Sequence, residues 1–229
     1  MYWKSSGPGA LSLVTASRAS ELASQSVALA GADACPNTID MTQTSPSYLS
    51  HHFLIAMPHM ADPRFAHTLI YLCDHSPDGA MGLVVNQPSG LTMSDILEQT
   101  SPELEVPLAA GAQPIYNGGP IQTERGFVLH GGPHQWEASL DLGRLQLTTS
   151  RDILADMVRG QGPRQALVAL GYAGWDAGQL DQELVDNVWL SCPADLDILF
   201  TLPSEQRLGA AARSLGIELS LLTSQAGHA

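Results

Sequence analysis

The sequence predicts an α+β protein with an irregular mixed or bent sheet and several packed helices. Three observations carry that prediction. Short apolar runs broken by Gly, Pro, Asp and Asn dominate residues 53–130, which is a strand signature. Helical periodicity appears only in separate stretches, at 92–100, 151–159, 179–187 and 204–215. Many connections between the strands are too short to carry crossover helices, so a regular doubly wound sheet is not expected.

The chain has 229 residues, 44% of them hydrophobic, which suits one domain with a substantial core. Residues 1–47 are rich in Ser, Thr, Ala and Gly. Burial there offers little to offset the entropy of ordering, and a helix over 18–30 would lack a wide apolar stripe. This segment is expected to be a loose extension, either disordered or an artefact of start-site assignment with Met41 as the true start. Residues 48–229 are expected to form a single domain.

The core of that domain starts with strands at 53–57, 67–73 and 80–85. Asp78-Gly79 supplies a tight turn between the second and third, and residues 58–65 form a longer loop containing Asp62-Pro63. Residues 86–90 end the third strand. Thr92 can cap a helix over 92–100 with Ile96 and Leu97 facing inward, and 101–114 reads as loop. Strands are expected at 115–117 and 126–130, each followed by Gly-Gly-Pro, then a more exposed strand at 139–147. Ser150 can cap a helix over 151–159 that buries Ile153, Leu154 and Met157. A strand at 166–170 runs into the glycine-rich turn 171–175, and the 179–187 helix carries a Leu180, Leu184, Val188 stripe. Trp189 and Leu190 begin a short extended piece, and 196–200 is another apolar segment. Pro203 starts the last helix and Gly216 ends it. Residues 219–222 read as a small final turn before a loose tail.

The formal charge of −13 comes from 23 acidic and 10 basic residues, with Lys4 as the single lysine. Such a field repels phosphate, so direct nucleic-acid binding and attachment to anionic membrane are not expected. Arg144, Arg151, Arg159 and Arg164 read as scattered solvated side chains. Cys35, Cys73 and Cys192 form neither a C-x-x-C motif nor a dense framework, which points to a reducing compartment. No apolar run reaches the roughly 18–20 residues a membrane helix needs. A cytoplasmic protein is expected.

Chemistry-bearing residues gather in the polar breaks. His59, Asp62, His67, Asp74 and His75 are potential metal ligands if their loops converge, but no HExxH is present and no metal site is assigned. His59, Asp62 and His75 are kept as pocket candidates. Cys73 shares a strand face with His75 if that strand is regular, with buried packing as its default role. Asn86, His130, Tyr172 and Trp175 stand at strand ends or in glycine-flanked turns, where binding groups often sit; anchoring of the following helix explains Tyr172 and Trp175 nearly as well. Gly118 and Gly119 are candidate backbone anion contacts, although no phosphate-loop or dinucleotide motif is present. No complete catalytic set and no cofactor motif is assigned.

The stretch FLIAMPHMADPRFAHTLIYLCDHSPDGAMGLVVNQP closely resembles the AlgH/YqgE family of bacterial proteins. Ile115–Pro120, Gly126–His130, Gly171–Trp175 and the following Gly178-Gln179-Leu180 agree with it, and the resemblance runs from about residue 49 to the end. It implies a compact α+β fold whose strands form an irregular pseudo-barrel. Some members carry the name of a transcriptional regulator of alginate production, but no helix-turn-helix is found in this sequence. Asp176 stands where the family pattern has Gly, Asp181 where it has Glu, and the family favours Trp near Arg207.

The leading functional expectation is a non-enzymatic regulatory or interaction module that binds a small polar ligand or a protein partner. The alternatives are an acid–base enzyme or hydrolase using the His and Asp residues, a structural partner in a complex, and a transcriptional regulator.

Overall fold

The computed structural model describes residues 48–218. The expectations for 1–47, including Cys35, and for the final turn and tail beyond 218 lie outside the described residues. The architecture is an α+β pseudo-barrel, a strongly curled and mostly antiparallel half-barrel sheet with ten strands and six helices among the described residues. In chain order the strands are β1 His52–Ala56, β2 Leu69–Ser76, β3 Gly79–Val84, β4 Pro88–Thr92, β5 Pro114–Asn117, β6 Ile121–His130, β7 Ser139–Asp141, β8 Gln146–Thr148, β9 Ala166–Trp175 and β10 Trp189–Pro193. The helices are α1 Met93–Thr100, α2 Leu108–Gly111, α3 Asp152–Val158, α4 Gln179–Val185, α5 Leu196–Phe200 and α6 Ser204–Ser214.

The spatial order is β10-β1-β2-β3-β9-β6-β8-β7, with β4 on β5 and β5 parallel to β9. β9 is the spine. Its Ala173–Trp175 end pairs with β3, and its Ala166–Leu170 end pairs with β6. The sequence suggests a turn at 171–175, yet these residues continue the strand. Gly171 absorbs the bend with φ of 71°. Alternation along the strands makes the sheet two-faced. Phe53, Tyr71, Leu83, Phe127, Leu129 and Leu147 share one cluster with α5 and α6. On the other face, Leu54, Ile70, Leu72 and Trp175 pack with Leu180 of α4, while Val128, Val168 and Ile153 pack around α1 and α3.

Several local expectations need correction. The strand expected at 139–147 is a hairpin, because Asp141 to Arg144 turns back on itself: Asp141 accepts from the Gly143 amide and Leu142 N–H donates to Leu145 O. It is not exposed at β8, where Gln146, Leu147 and Thr148 are all buried. Ser150 does not cap α3; its hydroxyl donates to the Asp152 carboxylate and accepts from Ala138 N–H. β4 and the single turn of α2 lie where only strand end and loop were expected. Thr92 does cap α1, forming a reciprocal box with Asp95.

Candidate functional site

The structure scatters the sequence candidates over several places. His59 is exposed in the loop after β1. Asp62 is held by Arg64 in a local ion pair of 2.6 Å, and that guanidinium keeps the carboxyl below its usual range. Asn86 is a strand tie: its Oδ1 accepts from Leu69 N–H at 2.7 Å and its Nδ2 donates to His67 O at 2.9 Å. The Tyr172 ring packs edge-on against Phe127 with centroids 5.6 Å apart.

Two candidates do share a surface. His75, Ala80 and Trp175 lie in register across β2, β3 and β9 under α4. His75 is 5% exposed, accepts from Leu49 N–H at Nδ1 and faces Asp181 at 3.5 Å through Nε2. Trp175 Nε1 and Trp189 Nε1 both donate to the same oxygen of Glu183, at 2.9 and 2.7 Å, and Gln179 donates to the other at 2.8 Å. Trp175 therefore anchors α4 by its indole nitrogen and its face, rather than lining an open pocket.

The bulge between Leu72 and Asp74 separates Cys73 from His75. The extra residue changes the strand's facing, so Cys73 joins the interior cluster while His75 turns to α4. Burial pushes the Cys73 thiol far up, which removes thiolate reactivity. The diglycine is also committed. Gly118 N–H donates to Leu170 O and Gly118 O accepts from Val84 N–H, both at 2.8 Å, so its amide is spent inside the sheet and is not offered to an anion. A Cβ on Gly119 would lie 2.2 Å from the Tyr172 carbonyl carbon, and Gly119 has φ of 152°. These glycines let the chain after β5 cross β9 at contact distance.

His130 stands elsewhere, at the far end of β6, with no exposure. Its Nε2 is 2.8 Å from Thr148 Oγ1, which is 2.7 Å from Ser139 Oγ, which accepts from Trp136 N–H at 3.0 Å. Trp136 packs edge-on to His130, and its Nε1 donates to Asp156 on α3 at 3.0 Å. Burial lowers the His130 pKa, the Gly131 carbonyl opposes that shift, and His134 adds to it. Gln146, beside His130 in the β6–β8 pairing, completes a buried polar floor.

A separate cleft of about 430 Å³ opens between the β7–β8 turn and the start of α5. It is lined by Arg144, Pro193, Ala194, Asp195, Leu196 and Asp197. Asp195 accepts from Asp197 N–H at 2.8 Å and so presents one oxygen as a cap. Behind the cleft, Ala194 N–H donates to His51 O, and His51 Nδ1 lies 3.1 Å from the Tyr71 hydroxyl. Burial raises the Tyr71 phenol pKa, and the positive charge of Arg144 opposes that rise.

None of the sequence candidates lines this cleft. Arg144 reads as a scattered charge in sequence, and Asp195 and Asp197 carry no motif. Gln146 and Thr148 alternate with Leu145 and Leu147, a pattern that normally means a wet outer face. Trp136 and α3 cover that face instead. Among the described residues, no group of three or more His, Cys, Asp or Glu is arranged to hold a metal ion, and no helix is long and apolar enough to cross a membrane.

A profile of the AlgH-like family matches residues 53–220. The chain belongs to the AlgH-like family. It is 61% identical to a UPF0301 protein of Stutzerimonas stutzeri over 189 residues, which is 82% of this chain and all of the relative. It is 58% identical to the AlgH protein of Pseudomonas aeruginosa over the same shares. The solution structure of that AlgH protein superposes with a TM-score of 0.68, covering 82% of this chain and all of the solved one. A crystal structure from Corynebacterium diphtheriae, at 22% identity and a TM-score of 0.57 over 76% of this chain and 91% of that one, shares the fold. The AlgH-like identity thus agrees with the resemblance carried by residues 53–88.

Proposed function

We propose that this AlgH-like protein is a non-enzymatic regulatory module that binds a small polar ligand in the Arg144–Asp195–Asp197 cleft. The carrying observation is the cleft itself: about 430 Å³ with one guanidinium and two carboxylates on its walls. The cleft is open to solvent and its lining is more polar than apolar, which suits a small polar ligand that stays partly hydrated. A guanidinium and carboxylates lining one cleft favour a ligand that carries both signs, such as an α-amino acid or a short peptide. A binding role also fits the commitment of His75, Asn86, Trp175 and Trp189 to internal hydrogen bonds.

Regulation by direct DNA contact finds no support in the −13 balance. Free, buried thiols at Cys73 and Cys192 suit a reducing, cytoplasmic setting.

Capture of the native protein followed by small-molecule mass spectrometry tests the reading. A zwitterionic compound should co-purify, and calorimetry should show its affinity falling about tenfold or more in Arg144→Ala, the loss of one charge-assisted contact. Absence of any co-purifying compound, or equal affinity in Arg144→Ala, would sink it.

A further inference from the structure

The buried floor formed by β6, β8 and β7 holds an acceptor with nothing to accept. Gln146 is 8% exposed, and its Oε1 is the one buried side-chain nitrogen or oxygen among the described residues without a hydrogen-bond partner. The other end of that amide is fixed, because Nε2 donates to Gly132 O at 3.1 Å. Flipping the amide would set two carbonyl oxygens against each other, so Oε1 keeps its place.

His130 is Gln146's direct partner across β6 and β8, and directly paired residues project to the same face. The tautomer of His130 is assigned from its neighbours. Nδ1 faces the carbonyl of Gly131 at 3.5 Å, so the proton belongs on Nδ1. Nε2 is then the acceptor from Thr148. The remaining hydroxyls follow in one direction, from Trp136 N–H through Ser139 to Thr148. The Nδ1–H bond to Gly131 is long for a hydrogen bond. A buried acceptor without a donor therefore stands beside a buried donor with a distant acceptor.

We propose that this floor is a binding site for a small neutral ligand of the carboxamide class. The ligand's N–H donates to Gln146 Oε1, and its carbonyl accepts from His130 Nδ1–H. A carboxamide fits because it carries donor and acceptor side by side. A neutral ligand fits because the charged groups nearby are otherwise engaged. Asp156 holds the Trp136 indole, and Asp141 accepts from Gly143. Entry is under the turn of Gly131, Gly132 and Pro133. Gly132 is exposed, with φ of 109° and no heavy atom within 4 Å of where its Cβ would be, so this side of the turn borders solvent. The site is independent of the Arg144 cleft.

Nitrogen-15 NMR of the full chain titrated with acetamide tests the proposal. Saturable shifts are expected at the Gly131 and Gly132 amides, the Gln146 side chain and the His130 ring nitrogens. N,N-dimethylacetamide, which keeps the carbonyl and lacks the N–H, should leave them unmoved. Gln146→Leu should abolish the acetamide response, and Arg144→Ala should preserve it. The comparison of the two amides needs only the unaltered chain, so it stands even if Gln146→Leu misfolds. No saturable shift with acetamide, an equal response to the dimethyl probe, or a long-lived water still seated on Gln146 at saturating acetamide would each overturn the proposal.

Discussion

The two ends of β9 bury ring nitrogens by opposite means. At the Trp175 end, the carboxyl of Glu183 collects both indole N–H groups and the Gln179 amide. At the Ala166 end, His130 is held by a chain of neutral hydroxyls, and the neighbouring Gln146 Oε1 accepts nothing. A strong acceptor bonded to three donors makes the first end a rigid clamp between sheet and α4. The second end has its hydrogen bonds strung in series with one left over, which leaves chemistry for a guest. The difference teaches where to look in this fold: the aromatic-rich end is scaffold, and the quieter polar strand is the place with unmet demand.

The largest expected effect strikes the crossing that joins the two ends. Gly119→Ala brings a Cβ against the backbone at Tyr172 in a positive-φ conformation, and should cost about 4 kcal/mol or more in urea unfolding. A near-neutral result would show that the crossing yields. Glu183→Ala comes next. It leaves two indole donors without their acceptor, and about 2–4 kcal/mol should be lost, with a shift in tryptophan emission. Should Glu183→Gln retain full stability, charge on that acceptor would not matter and the contrast between the ends would weaken.

Thr148→Val keeps the volume of the side chain and cuts the hydroxyl chain at His130. The expected cost is about 1–2 kcal/mol by chemical denaturation, less than at Glu183. The pH dependence sharpens the same contrast. Burial lowers the His130 pKa in the folded protein, so the unfolded chain binds the extra proton first. Stability is fully present above the ordinary histidine value of about 6.5 and falls as the pH drops below it, levelling once the folded ring also protonates. The slope from this one group is at most about 1.4 kcal/mol per pH unit, and His130→Gln should flatten it. Asp62, Asp95 and Asp152 have lowered values, so any contribution they make is lost in a separate, more acidic window. The smallest effect is expected for Asp181→Ala. This exposed partner of His75 should change stability by less than about 1 kcal/mol, measured as a melting shift.

Much of the scaffold was legible along the chain. The apolar runs at 53–57, 67–73 and 80–85 became β1, β2 and β3, whose residues Phe53, Leu54, Ile55, Ile70 and Leu83 have no exposure. Asp78-Gly79 signalled the β2–β3 hairpin, and Thr92 signalled α1. The site was harder to read. The histidines and prolines of the first loops drew attention because local chemistry is visible in sequence. Glu183, Gln146 and Thr148 sit on ordinary-looking helix and strand patterns, and their roles depend on partners elsewhere in the chain. Gly171 to Trp175 looked like a turn because glycines permit one. Pairing with β3 on one edge and β6 on the other pulled the segment into a strand.

By itself, the sequence determined the class of the fold, its AlgH-like family, the first three strands and the helix capped by Thr92. Those features rest on local periodicity, turn chemistry and the order of residues. Only the tertiary structure decided which polar side chains meet. It sent Cys73 and His75 to opposite faces through one bulge, spent the Gly118 amide on β9, and brought Arg144 to Asp195 across 51 residues. Strand register and sheet curvature set those meetings, because a slip of one residue reverses every side chain.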